Sequence, residues 1–78
     1  MSQQAMVELA KRTHGDTRKM KQAMQGYCIA VLWSAFEEDL GMGEQAALAA
    51  VCETINIPEE QAYDLIYKAR EFALIEEE

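Results

Sequence analysis

Residues 17–40 read TRKMKQAMQGYCIAVLWSAFEEDL, and the reading of this stretch decides the fold class. Its apolar residues recur at helical spacing: Met20, Met24, Tyr27, Val31 and Ala35 form one stripe, and Ile29, Leu32, Trp33, Phe36 and Leu40 form a second. The pattern predicts a helix from Thr17 to Leu40, roughly 35 Å long at 1.5 Å per residue, closed by Gly41 in a left-handed conformation. Its C-terminal half is apolar nearly all round, so it needs cover on more than one side. Gly26 lies inside it. A glycine there costs roughly 1 kcal/mol relative to alanine, which points to a kink or to the close approach of a neighbouring helix.

Upstream, Met6, Leu9 and Ala10 give a short helix over residues 3–13 one apolar face. His14-Gly15-Asp16-Thr17 breaks it, with Gly15 free to take a positive φ and Asp16 or Thr17 able to cap the next helix. Downstream of the Gly41-Met42-Gly43 hinge, Leu48, Val51, Cys52 and Ile55 mark a thin, alanine-rich helix over residues 44–55. Asn56 caps its end, and Pro58 is placed as the first residue of a final helix with Glu59 and Glu60 in its first turn. That helix is expected to reach Ile75, with Ala62, Leu65, Ile66, Ala69, Phe72 and Ala73 on one face. The expectation is all-α: a single domain over residues 1–78, a compact bundle of three main helices plus a short N-terminal one.

Composition agrees with this. Hydrophobic residues make up 50% of the chain and charged ones 27%, too apolar a mixture for a disordered segment. Residues 1–20 hold no apolar run followed by a small-residue cleavage site. The longest apolar run, Tyr27 to Phe36, is about half of what a membrane span requires. Cys28 and Cys52 each sit in an apolar stretch, show no metal or redox spacing and read as buried free thiols, so a cytoplasmic location is the expectation.

No catalytic, cofactor or metal site is read from the chain, because nothing supplies a nucleophile, a metal cluster or a polar pocket beside the carboxylates. His14 reads as an exposed loop residue. Charge is the stronger signal. The net charge is −7, but residues 1–26 carry five cations against two acids, while residues 27–78 carry twelve acids against Lys68 and Arg70. Glu37, Glu38 and Asp39 crowd the end of the long helix, where negative charge opposes the helix dipole, and Glu76, Glu77 and Glu78 repeat this at the chain's end. An up, down, up arrangement of the main helices would bring both clusters and Glu44 to one end. These seven residues are the candidate surface for a partner protein with a basic face, against the plainer account of solubility alone.

The segment Leu48 to Arg70 has the spacing of a helix-turn-helix, with small Cys52, turn residue Asn56 and anchoring Ile57. Against DNA binding, the first half of the second helix carries Glu59, Glu60, Gln61, Tyr63 and Asp64, which would face phosphates. A regulator would have to use Arg18, Lys19 and Lys21 instead. A homodimer through Ile29, Leu32, Trp33 and Phe36 is a further reading, because only short helices are left to cover the long one.

Residues 31–56, VLWSAFEEDLGMGEQAALAAVCETIN, resemble small uncharacterised helical accessory proteins of bacteriophages and prophages, in which an apolar helix ends at a Gly-x-Gly hinge. Glu44-Gln45 depart from that pattern, where basic residues often follow the hinge. The resemblance implies an accessory protein acting in the host cytoplasm, a class that includes inhibitors of host machinery.

The leading reading is therefore a non-catalytic protein-interaction module, beside a DNA-binding regulator and an acidic inhibitor that mimics nucleic acid. The regulator reading predicts duplex binding that weakens steeply with salt and is lost when Arg18, Lys19 and Lys21 become Ala. Absence of binding at low salt, in a mobility-shift titration, removes it.

Overall fold

The computed structural model describes residues 2–72 and 74. Four helices follow in order: α1 (Gln3–Arg12), α2 (Thr17–Glu38), α3 (Glu44–Ile55) and α4 (Glu59–Glu71). The described residues contain no strand. Helix α2 is the hub, with α1, α3 and α4 all packed against it. The expected all-α bundle is the observed architecture.

Local chemistry sets the helix ends. The Ser2 hydroxyl accepts the Ala5 N–H at 3.1 Å and caps α1. At the other end of α1 the chain reverses through two consecutive left-handed residues, His14 (φ 54°) and Gly15 (φ 74°). There the Gly15 N–H reaches Ala10 O at 2.8 Å and the His14 N–H reaches Lys11 O at 3.2 Å, which closes the helix. The Thr13 hydroxyl, buried beneath this turn, donates to Leu9 O at 2.9 Å. Of the two residues considered for the cap of α2, Asp16 takes the role: its Oδ1 accepts the N–H groups of Arg18 (3.0 Å) and Lys19 (3.2 Å). Its carboxylate offsets the cations that follow it at the positive end of the helix dipole.

Helix α2 stops at Glu38, short of the expected Leu40, which lies past the helix end and is 65% exposed. Gly41 does turn left-handed, at φ 65°, and the Met42 N–H reaches back to Phe36 O at 3.3 Å. Asn56 closes α3 at φ 57°, and the Ile57 N–H bonds Cys52 O at 3.0 Å. Pro58 precedes α4 instead of opening it: its ψ of 153° is extended, and its carbonyl accepts the Ala62 N–H at 3.1 Å. Helix α4 ends at Glu71, before the expected Ile75, where the Arg12 guanidinium donates to Phe72 O at 2.9 Å. Ala73 and Ile75 lie outside the described residues.

The core gathers Ile29 from α2, Leu48, Val51 and Cys52 from α3, and Ala62, Leu65 and Ile66 from α4, with Leu32, Trp33, Phe36 and Ile57 packed against it. Leu9 seats α1 and has no exposed surface. Gly26 explains how α4 comes so near: a Cβ built on it would land on the backbone carbonyl of Leu65 and within 3.0 Å of the Ile66 nitrogen. Of the two expectations for this glycine, close approach is the one observed. Replacing Gly26 with Ala should lower stability by about 3 kcal/mol, whereas a helix-interior Gly→Ala exchange normally raises it by roughly 1 kcal/mol. A urea midpoint at or above that of the natural chain would contradict the backbone contact.

Candidate functional site

An apolar groove of about 610 Å³ runs along α2, between that helix and the α3–α4 turn. Met20, Met24, Cys28 and Leu32 form its α2 wall, and Ile55 and Ile57 face them from the turn. Leu65 closes the floor, and Lys21, Gln25 and Gln61 add polar groups to the lining. Volume and lining fall in the range of binding clefts, with a few polar groups among apolar ones. Its methionines are unbranched and polarisable, so they adapt to differently shaped apolar partners.

The α2–α3 end of the groove's main helix is fastened by Trp33. Its indole N–H donates to Glu44 O at 3.0 Å, tying α2 to the first residue of α3, and its ring stands edge-on to Tyr63 of α4 at 6.1 Å between centroids. Contacts with α4 then run from Tyr63 beside Trp33, through Leu65 and Ile66 at Gly26, to Phe72 beside Arg12. Helix α4 thus traverses α2 from its C-terminal half towards the α1–α2 turn.

This path determines where the carboxylates go. Glu37, Glu38, Asp39 and Glu44 are all exposed and lie together around the α2–α3 connection. Helix α4 ends at the other side, by Arg12, so its C-terminus is not brought beside them. Glu76, Glu77 and Glu78 lie outside the described residues. Among the described residues the ion pairs are Lys11 with Glu8 at 3.6 Å and Lys68 with Asp64 at 3.8 Å, so no described cation pairs with the four acids at the connection. Arg18, Lys19 and Lys21 are exposed in the first turns of α2, and only Lys21 reaches the groove.

Of the four residues read as a dimer face, Ile29 is 2% exposed and belongs to the core, while Leu32, Trp33 and Phe36 are half-buried against it. The surface left uncovered on α2 is another one, where Val31 is 49% exposed and Cys28 is exposed. Helices α3 and α4 are joined through residues 56–58, and the first half of α4 exposes Glu59, Glu60, Gln61, Tyr63 and Asp64. The groove itself was not read from the sequence. Its signal was the i, i+4, i+8 spacing of Met20, Met24 and Cys28, but only the fold shows which flank of α2 the turn residues Ile55 and Ile57 come to border.

Among the described residues no group of three or more His, Cys, Asp or Glu side chains is placed to hold a metal ion, and no helix is long and apolar enough to cross a membrane. The fold and groove define a small all-α protein with an open apolar cleft. Comparisons with protein families, with characterised proteins and with solved structures return no match.

The expectation of two buried thiols holds only for Cys52, because Cys28 falls on the side of α2 turned away from the buried Ala23, Gly26 and Ile29. Cys28 is exposed on the groove wall, whereas Cys52 is buried in the core. Burial pushes the Cys52 thiol above its ordinary value, and the nearby Glu59 carboxylate adds in the same direction. Folding therefore favours the protonated thiol, a contribution present below the unfolded thiol's pKa and lost as pH rises through the raised one. At mildly alkaline pH an aromatic disulfide reagent should modify Cys28 at once and Cys52 only after denaturation. Simultaneous release of two equivalents from the native chain would contradict this placement.

Proposed function

We propose that this chain is a non-catalytic protein-interaction module that receives the apolar face of a partner helix in the α2 groove. The observation that carries the reading is the groove itself, an open cleft lined by Met20, Met24, Cys28, Leu32, Ile55 and Ile57. Helix-in-groove recognition requires an exposed apolar channel with adaptable walls, and the two methionines supply them. Beyond the groove, α2 ends at Glu37 and Glu38, with Asp39 just past the helix and Glu44 across the hinge. A partner helix with cations past one end of its apolar face would meet these carboxylates, which steer encounter and orientation more than they add affinity. An accessory role of this kind also suits the phage proteins that residues 31–56 resemble.

Affinity capture from nuclease-treated host lysate tests the proposal. The natural chain should retain a discrete protein. Ile55→Glu should reduce retention about tenfold, because it places a carboxylate in the apolar channel at a position outside the core. Changing Glu37, Glu38 and Asp39 together to Gln should weaken capture mainly at low salt. Undiminished retention by a helical Ile55→Glu chain would sink the groove reading, and retention that vanishes with nuclease would favour nucleic acid instead.

A further inference from the structure

The buried residues of α2, Ala23, Gly26 and Ile29, mark one side of the helix, turned towards the rest of the bundle. On the opposite side runs a second stripe at alternating steps of three and four: Lys21, Met24, Cys28, Val31, Ala35 and Glu38. At 3.6 residues per turn these positions form one continuous seam along the helix. None of them is buried, and Val31 is 49% exposed. The seam is cationic at one end, apolar through its middle and anionic at the other. One wall of the groove shares its Lys21, Met24 and Cys28. A shallow hollow of about 360 Å³, lined in part by Val31, Ser34, Ala35 and Glu38, flanks its other half.

We infer that the occupant of this surface is α2 of a second copy of the chain, laid antiparallel along the seam about a two-fold axis between Cys28 and Val31. The inference rests on reading the α2 surface as a protein-binding one, and it assigns the seam beside the groove to a second copy. Charge selects both partner and direction. In the antiparallel register Lys21 faces the partner's Glu38 and Glu38 faces the partner's Lys21, so both ends are satisfied by one symmetric arrangement. A parallel copy would set lysine against lysine and glutamate against glutamate. Shape agrees with charge: long Met24 faces the partner's small Ala35, beside the hollow, and Cys28 faces the partner's Val31. A single pair of helices, each roughly 33 Å long, makes a small interface, so the dimer forms at high micromolar concentration.

Sedimentation equilibrium over a range of chain concentrations tests this. The mass should rise from the 8.8 kDa of one chain to twice that value. Val31→Glu should hold the chain at one-chain mass with its helical circular dichroism intact, since Val31 is exposed and outside the core. Lys21→Glu and Glu38→Lys should each weaken dimerisation about tenfold, and their combination should restore it, because two exposed pairs are inverted and then re-formed. A one-chain mass throughout, a dimer indifferent to Val31→Glu, or a double variant no tighter than either single one would each overturn the inference. Val31 lies outside the groove and Ile55 within it. A monomeric chain that still captures another protein through Ile55 therefore removes the second copy and leaves the proposed function. A Val31-dependent dimer that captures nothing through Ile55 removes the groove's foreign partner and leaves the self-association.

Discussion

The contact between α2 and α4 at Gly26 is the constraint around which the rest is arranged. Packed helices ordinarily keep their axes 8–10 Å apart because side chains intervene. At Gly26 nothing intervenes, and the Leu65 carbonyl occupies the space a methyl group would need. Small residues continue the contact on both helices: Ala23 on α2, and Ala62 and Ala69 on α4, are fully buried. Close approach multiplies weak dispersion contacts, which matters in a chain whose size limits the surface it can bury. Once α4 is seated, Leu65 and Ile66 reach Ile29 and the α3 residues Leu48, Val51 and Cys52, and the core closes.

The same contact consumes one side of α2 and frees another. A helix that is apolar nearly all round has more surface than three short helices can cover. Here α4 and α3 take the side of Ala23, Gly26 and Ile29, leaving Met24, Cys28 and Val31 open. Exposed apolar area of this kind is a surface that a partner can cover. The carboxylates of Glu37, Glu38 and Asp39 sit where they weaken the isolated helix. Their position beyond one end of the apolar seam, with Lys21 at the other, supplies the polarity that gives this surface a direction.

Several elements were legible before the fold was seen, each through a local rule. Asp16 as a cap, Gly15 and Gly41 at positive φ, Asn56 as a left-handed closure and the span of α3 all follow from interactions within a few residues. Gly26 stood out as a kink or a close approach because an interior glycine weakens a helix, and the backbone of α4 decides for the second. Other expectations were misplaced at the ends of elements and in their paths. Leu40 continues the apolar stripe in sequence, but the helix that would carry it has already ended. The bundle end imagined for all the acids is divided because α4 crosses towards Arg12.

By itself, then, the sequence determined the helices, their caps, the division of charge and the excess of apolar surface on α2, because each depends on residues within a turn or two of one another. Only the tertiary structure decided which side of α2 is spent on the core and which is left as a groove and seam. That choice depends on where α4 can come closest, and the backbone contact at Gly26 places it. Ile55, Ile57 and Met24 are separated by a hinge and a whole helix, and they become one surface only after that contact is made.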